Sequence, residues 1–227
     1  MALDFDCILR AREFVHSVSP NLCRLKIGKQ MFTLYGPQFV RECIDYGFDV
    51  FLDLKFHDIP HTVGAAVSAA CELGVWMLTV HASGGEDMLN AARSAVDQFS
   101  GRKPLLVGVT LLTSLNQQDL RSQGIVLSLD KIVMNLAQLA HQAQLDGVVC
   151  SAKEAGMIKA TFTDALTLVT PGIRLTGDDS TDQKRVVTPR MANQAGADYL
   201  VIGRSITQSL QPVDALRQCL DEISLCS

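Results

Sequence analysis

Apolar residues in this chain fall into short unbroken runs, separated by longer segments in which they recur every three or four positions. Runs of the first kind suit strands buried on both faces, and segments of the second kind suit helices with one buried stripe. The pattern predicts strands over residues 23–27, 49–56, 75–81, 104–110, 147–150, 166–169 and 199–202, with residues 1–4 as a very short entry strand. Helical spacing is predicted over 6–18, through 37–46, and over 61–73, 86–98, 129–145, 152–162, 188–195 and 205–225. Gly28, Gly47 and Gly74 punctuate these segments, and Ser128 is placed to cap the helix that follows it. LTSLN (112–116) reads as an exit loop and TPGIRLTGDDSTDQK (170–184) as a long polar loop. Parallel strands need crossover helices, so about eight strand and helix alternations imply an α/β chain folded as one (β/α)8 TIM barrel over residues 1–227. An open doubly wound sheet is the runner-up. No internal repeat or low-complexity linker divides the chain.

One stretch departs from the apolar rule. FLDLKFHDIPHTV (51–63) begins as a strand, so Asp53 and Lys55, two apart, share one face. Faces that look into a core are normally apolar, and burying an isolated charge is costly unless it is paired. A charge pair aimed inward therefore points to chemistry rather than to stability. Asp58 follows before Pro60, at the turn into a helix, and carries two readings: an ordinary N-cap, or a third member of a D-x-K-x-x-D array.

Barrel sites lie at the C-terminal ends of the strands, and the remaining polar outliers fall there. Asp4 ends the entry strand, Lys26 the next, and His81 the one after Lys55, while Thr113 and Ser114 follow the strand at 104–110. The GIR loop with Arg174 and the Gly203 and Arg204 pair follow the last two strands, where barrels often bind phosphate on backbone N–H groups and a cation. Each also has a plainer reading. His81 fits a hydrogen-bonded structural histidine, Lys26 fits a side chain snorkelling to solvent, and Arg174 and Gln183 fit a solvated loop as well as a lid over a substrate.

Composition narrows the setting. The chain has 227 residues, 48% of them hydrophobic, with a net charge of −4. Mild acidity without clustered Lys or Arg argues against nucleic acid or an anionic membrane as partner, and leaves room for a local phosphate site. Seven cysteines, Cys7, Cys23, Cys43, Cys71, Cys150, Cys219 and Cys226, lack the spacing of a zinc site. Their odd number suits a reducing compartment. With no leader pattern and no apolar segment approaching the ~20 residues that span a bilayer, a cytoplasmic protein is expected.

The motifs ALD, RLKIGK, FLDLKFHDIP, VHASGG, LTS, VTPGIR, DQ and VIGR together resemble the orotidine 5'-phosphate decarboxylases of bacterial type over essentially the whole chain. The D-x-K-x-x-D element alone is shared with magnesium-dependent phosphosugar decarboxylases and aldolases. The resemblance implies cofactor-free and metal-free conversion of orotidine 5'-monophosphate to UMP. It implies that Lys55 donates a proton to C6, that Asp53 lies against the departing carboxylate, and that Lys26 and Asp58 complete an alternating charge row. It further implies a homodimer in which Asp58, Ile59 and Thr62 enter the partner's site. Asp4 would bind the ribose, Thr113 the pyrimidine, and Gln183, Gly203 and Arg204 the phosphate end, with Arg174 a further substrate-binding residue. His61 stands where many relatives carry Asn, which bears only on the detail of the turn behind Asp58. Only three residues precede Asp4, so the entry strand and its ribose contact are expected to be weak. A nucleotide-binding barrel whose ion pair is only structural is the non-enzymatic alternative.

Overall fold

The apolar runs pair side by side in chain order. A computed structural model describes residues 1–175 and 187–224. Its sheet holds seven parallel strands, β1 (Leu25–Gly28), β2 (Val50–Phe56), β3 (Met77–His81), β4 (Leu105–Val109), β5 (Gly147–Val149), β6 (Thr167–Pro171) and β7 (Tyr199–Val201), each bonded to the next. The helices that carry the chain back are α1 (Ile8–Ser17), α2 (Lys29–Asp45), α3 (Pro60–Leu73), α4 (Glu86–Gln98), α5 (Gln117–Ser122), α6 (Leu129–Gln142), α7 (Ala152–Phe162), α8 (Pro189–Gln194), α9 (Arg204–Thr207) and α10 (Pro212–Ser224).

The expected first strand is reduced to a bridge. The Ala2 N–H donates to the Ile202 carbonyl just past β7 (2.7 Å), while Leu3 and Lys26 exchange bonds with β1 and the entry segment: Leu3 N–H to Lys26 O at 2.9 Å, Lys26 N–H to Met1 O at 2.6 Å. Ala2 pairs in parallel with Lys26 at that one position. The segment thus joins the two edges of the sheet and makes a nearly closed TIM barrel, the predicted architecture, and the doubly wound alternative is set aside.

Residue parity explains why these strands tolerate no polar alternation. Phe51, Met77, Val107, Val109, Val149 and Val169 form a cluster inside the barrel. Their neighbours Leu52, Leu78, Leu106, Val148 and Leu168 pack outward under the helices. Successive side chains point to opposite sides, and both sides are dry. Toward the strands' C-terminal ends the next inward positions are Asp53 and Thr79, followed by Lys55 and His81, while Lys26 on β1 is registered with Phe51, so the polar layer sits directly on the apolar one.

Several boundaries move for identifiable reasons. Helix α2 begins directly at Lys29 and is kinked at Gly36 (φ 60°), whose left-handed backbone precedes Pro37. Helix α5 follows the exit loop, in a stretch where the sequence pattern predicts no element. It is started by a capping box in which Asn116 accepts from Asp119 N–H and the Asp119 carboxylate accepts from Asn116 N–H. Ser128 caps α6 through Lys131 N–H, as its spacing predicts.

The opposite end of the barrel is tied by aspartates that immediately precede strands. Asp146 accepts from Leu106 N–H (2.7 Å) and from Arg93 Nη1 (3.0 Å). Asp198 accepts from Leu168 N–H (2.7 Å) and pairs with Lys159 (3.0 Å). Each carboxylate satisfies a backbone donor on the neighbouring strand and holds a crossover helix to it. Asp146→Ala strands the Leu106 N–H and leaves the Arg93 guanidinium with Asp97 (2.9 Å) as its remaining carboxylate, and should cost about 1–3 kcal/mol, a fall of roughly 3–10 °C in the thermal midpoint. A calorimetric midpoint equal to wild type would show that this lock contributes nothing.

Candidate active site

Four of the residues singled out in the sequence meet at the mouth of the barrel. Asp53 Oδ1 lies 2.7 Å from Lys55 Nζ, Asp53 Oδ2 lies 3.5 Å from Lys26 Nζ, and Lys26 Nζ lies 3.8 Å from Asp4 Oδ1. The order is Lys55, Asp53, Lys26, Asp4, with alternating sign. The side chains of Lys26 and Asp53 are each 12% exposed and that of Lys55 24%, so the ammonium of Lys55 is the more open end of the inner triad.

A local irregularity in β2 makes this row. Leu52 pairs with Leu78 and Phe56 with Val80, so β2 uses two more residues than β3 between the same pairs. The excess is taken up at residues 53–55, where Lys55 adopts φ 53°, a costly conformation for a side-chain-bearing residue. Thr79, fully buried, holds the bulge from β3: its hydroxyl accepts from Lys55 N–H (2.9 Å) and donates to Asp53 Oδ1 (3.1 Å). Space is also reserved. A Cβ on Gly28 would lie 3.3 Å from Lys26 Nζ and 3.8 Å from Asp4 Oδ1, and one on Gly203 would lie 3.5 Å from Asp4 Oδ2.

Burial works to raise the Asp53 pKa, but Lys26, Lys55 and the hydrogen bonds from Lys55 and Thr79 outweigh it and hold the carboxyl below the usual range. Asp53 therefore stays ionised at neutral pH. His81, at the end of β3, is shifted the other way. Burial lowers its pKa, and His57, Lys29 and Lys55 lower it further against the opposing pull of Asp53.

The structure does not bring Asp58 into this row within its own chain. Its carboxylate accepts from Ile59 N–H (2.7 Å), and the helix N-cap is Ile59, without a side-chain cap bond, because Pro60 occupies the first helical position. The simple N-cap reading of Asp58 is thereby corrected. Asp58, Ile59 and Thr62 are all exposed, Ile59 at 65% despite its apolar side chain.

The other candidates rim the same end. Thr113 is exposed just after β4. Arg174, after β6, is part-buried and donates from Nη1 to the Ile173 carbonyl (3.0 Å). Gly203 is the N-cap of α9, and exposed Arg204 is that helix's first residue. Gln183 lies outside the described residues. Thr79 and His57 went unmarked as site residues in the sequence, and Gly28 was read only as a turn. Of these Thr79 had a signal, a polar residue at an inward position of an otherwise apolar strand. Among the described residues no group of three or more His, Cys, Asp or Glu is arranged to hold a metal ion, and no helix is long and apolar enough to cross a membrane.

Chemically, the row presents an ammonium, fixed by one carboxylate and backed by a second ammonium, to a partly open cavity mouth. Such a group can stabilise negative charge or hand over a proton without moving far.

Comparison with known proteins follows the same line. The family described as Orotidine 5'-phosphate decarboxylase / HUMPS matches residues 1–219. Orotidine 5'-phosphate decarboxylase of Pseudoalteromonas translucida is 55% identical over 216 residues, spanning 95% of this chain and 92% of that protein. The protein of the same name from Aliivibrio fischeri is 54% identical over 225 residues, spanning 99% and 94%. The crystal structure of orotidine 5'-phosphate decarboxylase from Lactobacillus acidophilus superposes with a TM-score of 0.87 at 32% identity, over 98% of this chain and 96% of that one.

Proposed function

The chain belongs to the orotidine 5'-phosphate decarboxylase / HUMPS family, and from that membership we propose that it decarboxylates orotidine 5'-monophosphate to UMP in pyrimidine biosynthesis. In this reading it is a cofactor-free carbon–carbon lyase, one barrel domain per chain, acting as a cytoplasmic homodimer. The observation that carries the mechanism is the Lys55 ammonium held 2.7 Å from Asp53, with Lys26 on the other carboxylate oxygen.

Loss of carbon dioxide from C6 leaves an electron pair on a vinylic carbon with no adjacent carbonyl to accept it. An ammonium already aimed at that carbon stabilises the developing charge and then supplies the proton, and Lys55 takes this role. Asp53 keeps Lys55 oriented and charged, and lies where a substrate carboxylate would meet repulsion, though preorganised electrostatics is the larger contribution. Lys26 neutralises Asp53 from the other side and bridges to Asp4, which binds the ribose hydroxyls. Asp58, with Ile59 and Thr62, completes the row across the dimer interface. The exposure of an isoleucine and an aspartate on one turn supports that placement. Thr113 meets the pyrimidine. Arg174, Gln183, Gly203 and Arg204 bind the phosphate, the last two at the start of α9, and this remote binding energy positions the reacting ring.

The same carboxylates hold magnesium in sister enzymes, but here both oxygens of Asp53 face ammonium groups, which favours the metal-free reading. Purified protein mixed with orotidine 5'-monophosphate and excess chelator should produce UMP at the rate seen without chelator. Turnover that appears only on adding a divalent metal would overturn the metal-free mechanism, and none under either condition would overturn the assignment.

A further inference from the structure

His57 has no role in the reaction as described, yet it links the charge row to the turn that bears Asp58. Residues two apart on a strand share a face, so Thr79 and His81 of β3 point the same way. Thr79 holds the bulge at Asp53 and Lys55. His81, one inward step further on, meets the imidazole of His57, with ring centroids 5.1 Å apart and planes inclined by 35°. His57 also lies on the turn Ala82–Gly84, its Cδ2 only 3.3 Å from where a Gly84 Cβ would stand. Phe56 and Val80 are the last registered pair between β2 and β3. Beyond it the chain turns outward to exposed Asp58 and Ile59, and the ring contact ties that turn back to β3.

We propose that the His57/His81 ring pair is a positioning clamp that fixes the turn of Asp58 and Ile59 for delivery to the neighbouring subunit's site. The inference rests on the shared-site reading given above. Burial weighs most against a proton on His81, His57, Lys29 at the start of α2 and Lys55 on β2 oppose it further, and Asp53 favours it, so His81 meets the exposed His57 ring as a neutral imidazole. Asp58 adjoins His57, exposed His61 follows on α3, and exposed Glu86 and Asp87 occupy the first turn of α4.

Two substitutions in the whole protein test the ring contact. His57→Phe keeps a ring on His81, and His57→Ala removes it. At pH near 7.5, kcat/KM for orotidine 5'-monophosphate should fall about 10-fold or more in His57→Ala, mainly in kcat, and stay within about 3-fold of wild type in His57→Phe. Amide hydrogen exchange over residues 57–62 should quicken in His57→Ala and not in His57→Phe, whatever the activity. His57→Ala matching wild type in both kinetics and exchange overturns the clamp, and so does His57→Phe losing as much activity as His57→Ala. A wild type that exchanges as expected but never turns over the substrate overturns the decarboxylase reading and leaves the clamp standing.

Discussion

Lys55→Ala should lower kcat by about 10⁴-fold or more while UMP still binds, because it removes both the charge that stabilises the C6 carbanion and the proton that quenches it. These two contributions come from one atom, Lys55 Nζ, and nothing else in the row replaces it. Lys26 lies on the far oxygen of Asp53, 3.5 Å away, and is itself engaged toward Asp4. The loss should appear in kcat rather than in KM, since phosphate and ribose contacts are made by other residues and the lysine acts chiefly on charge that develops in the transition state. Binding of UMP, read by calorimetry, is the necessary companion measurement. It distinguishes a dead enzyme from a collapsed site, which is a real risk because Asp53, 12% exposed, would lose one of its two cationic partners. Full turnover in Lys55→Ala would remove the proton-donor role. A wild type that binds UMP, as does Lys55→Ala, but turns nothing over would favour a nucleotide-binding barrel with a structural ion pair.

The features legible from sequence were those in which one residue contradicts its surroundings. Asp53 and Lys55 interrupt an apolar strand at inward positions, Lys26 does so in β1, and the structure places all three within one ion-paired row. The barrel itself was legible because its strands lack polar alternation, and that follows from burial on both faces. What the sequence obscured was backbone geometry. The bulge that lets β2 spend two extra residues opposite Thr79 contains no glycine, and Lys55 adopts its positive φ against its own preference. Tertiary bonds from Thr79 enforce it. The cap of α3 was misassigned although the signal was present: Pro60 belongs at the first helical position, so the N-cap is the residue before it, Ile59. Helix α5 was hidden by its brevity, yet Asn116 and Asp119 stand at capping-box spacing. The entry strand was expected to be weak and is a single bridge, its backbone bonds divided between two edges. The role of Asp58 could not be read from one chain in either form, since it makes no ion pair with Lys26 or Lys55 of its own subunit among the described residues.

That last point is also where the account is most exposed. If Asp58 completes the row of the partner subunit, then Lys55→Ala and Asp58→Ala carry lesions in different halves of each shared site. In a mixed dimer, the subunit that retains Lys55 receives intact Asp58 from the other, and the second site carries both lesions. Free exchange of equal amounts makes about half the dimers mixed, each with one of two sites restored, so activity should recover to about a quarter of wild type. The background is low, as each variant alone should be nearly inactive. The deciding measurement is therefore UMP production by an equimolar mixture of Lys55→Ala and Asp58→Ala, after mixed dimers have been verified by native mass spectrometry. Recovery to about a quarter of wild-type activity is the predicted result under that two-site arithmetic, and activity no greater than the two variants measured apart would contradict a charge row shared between subunits.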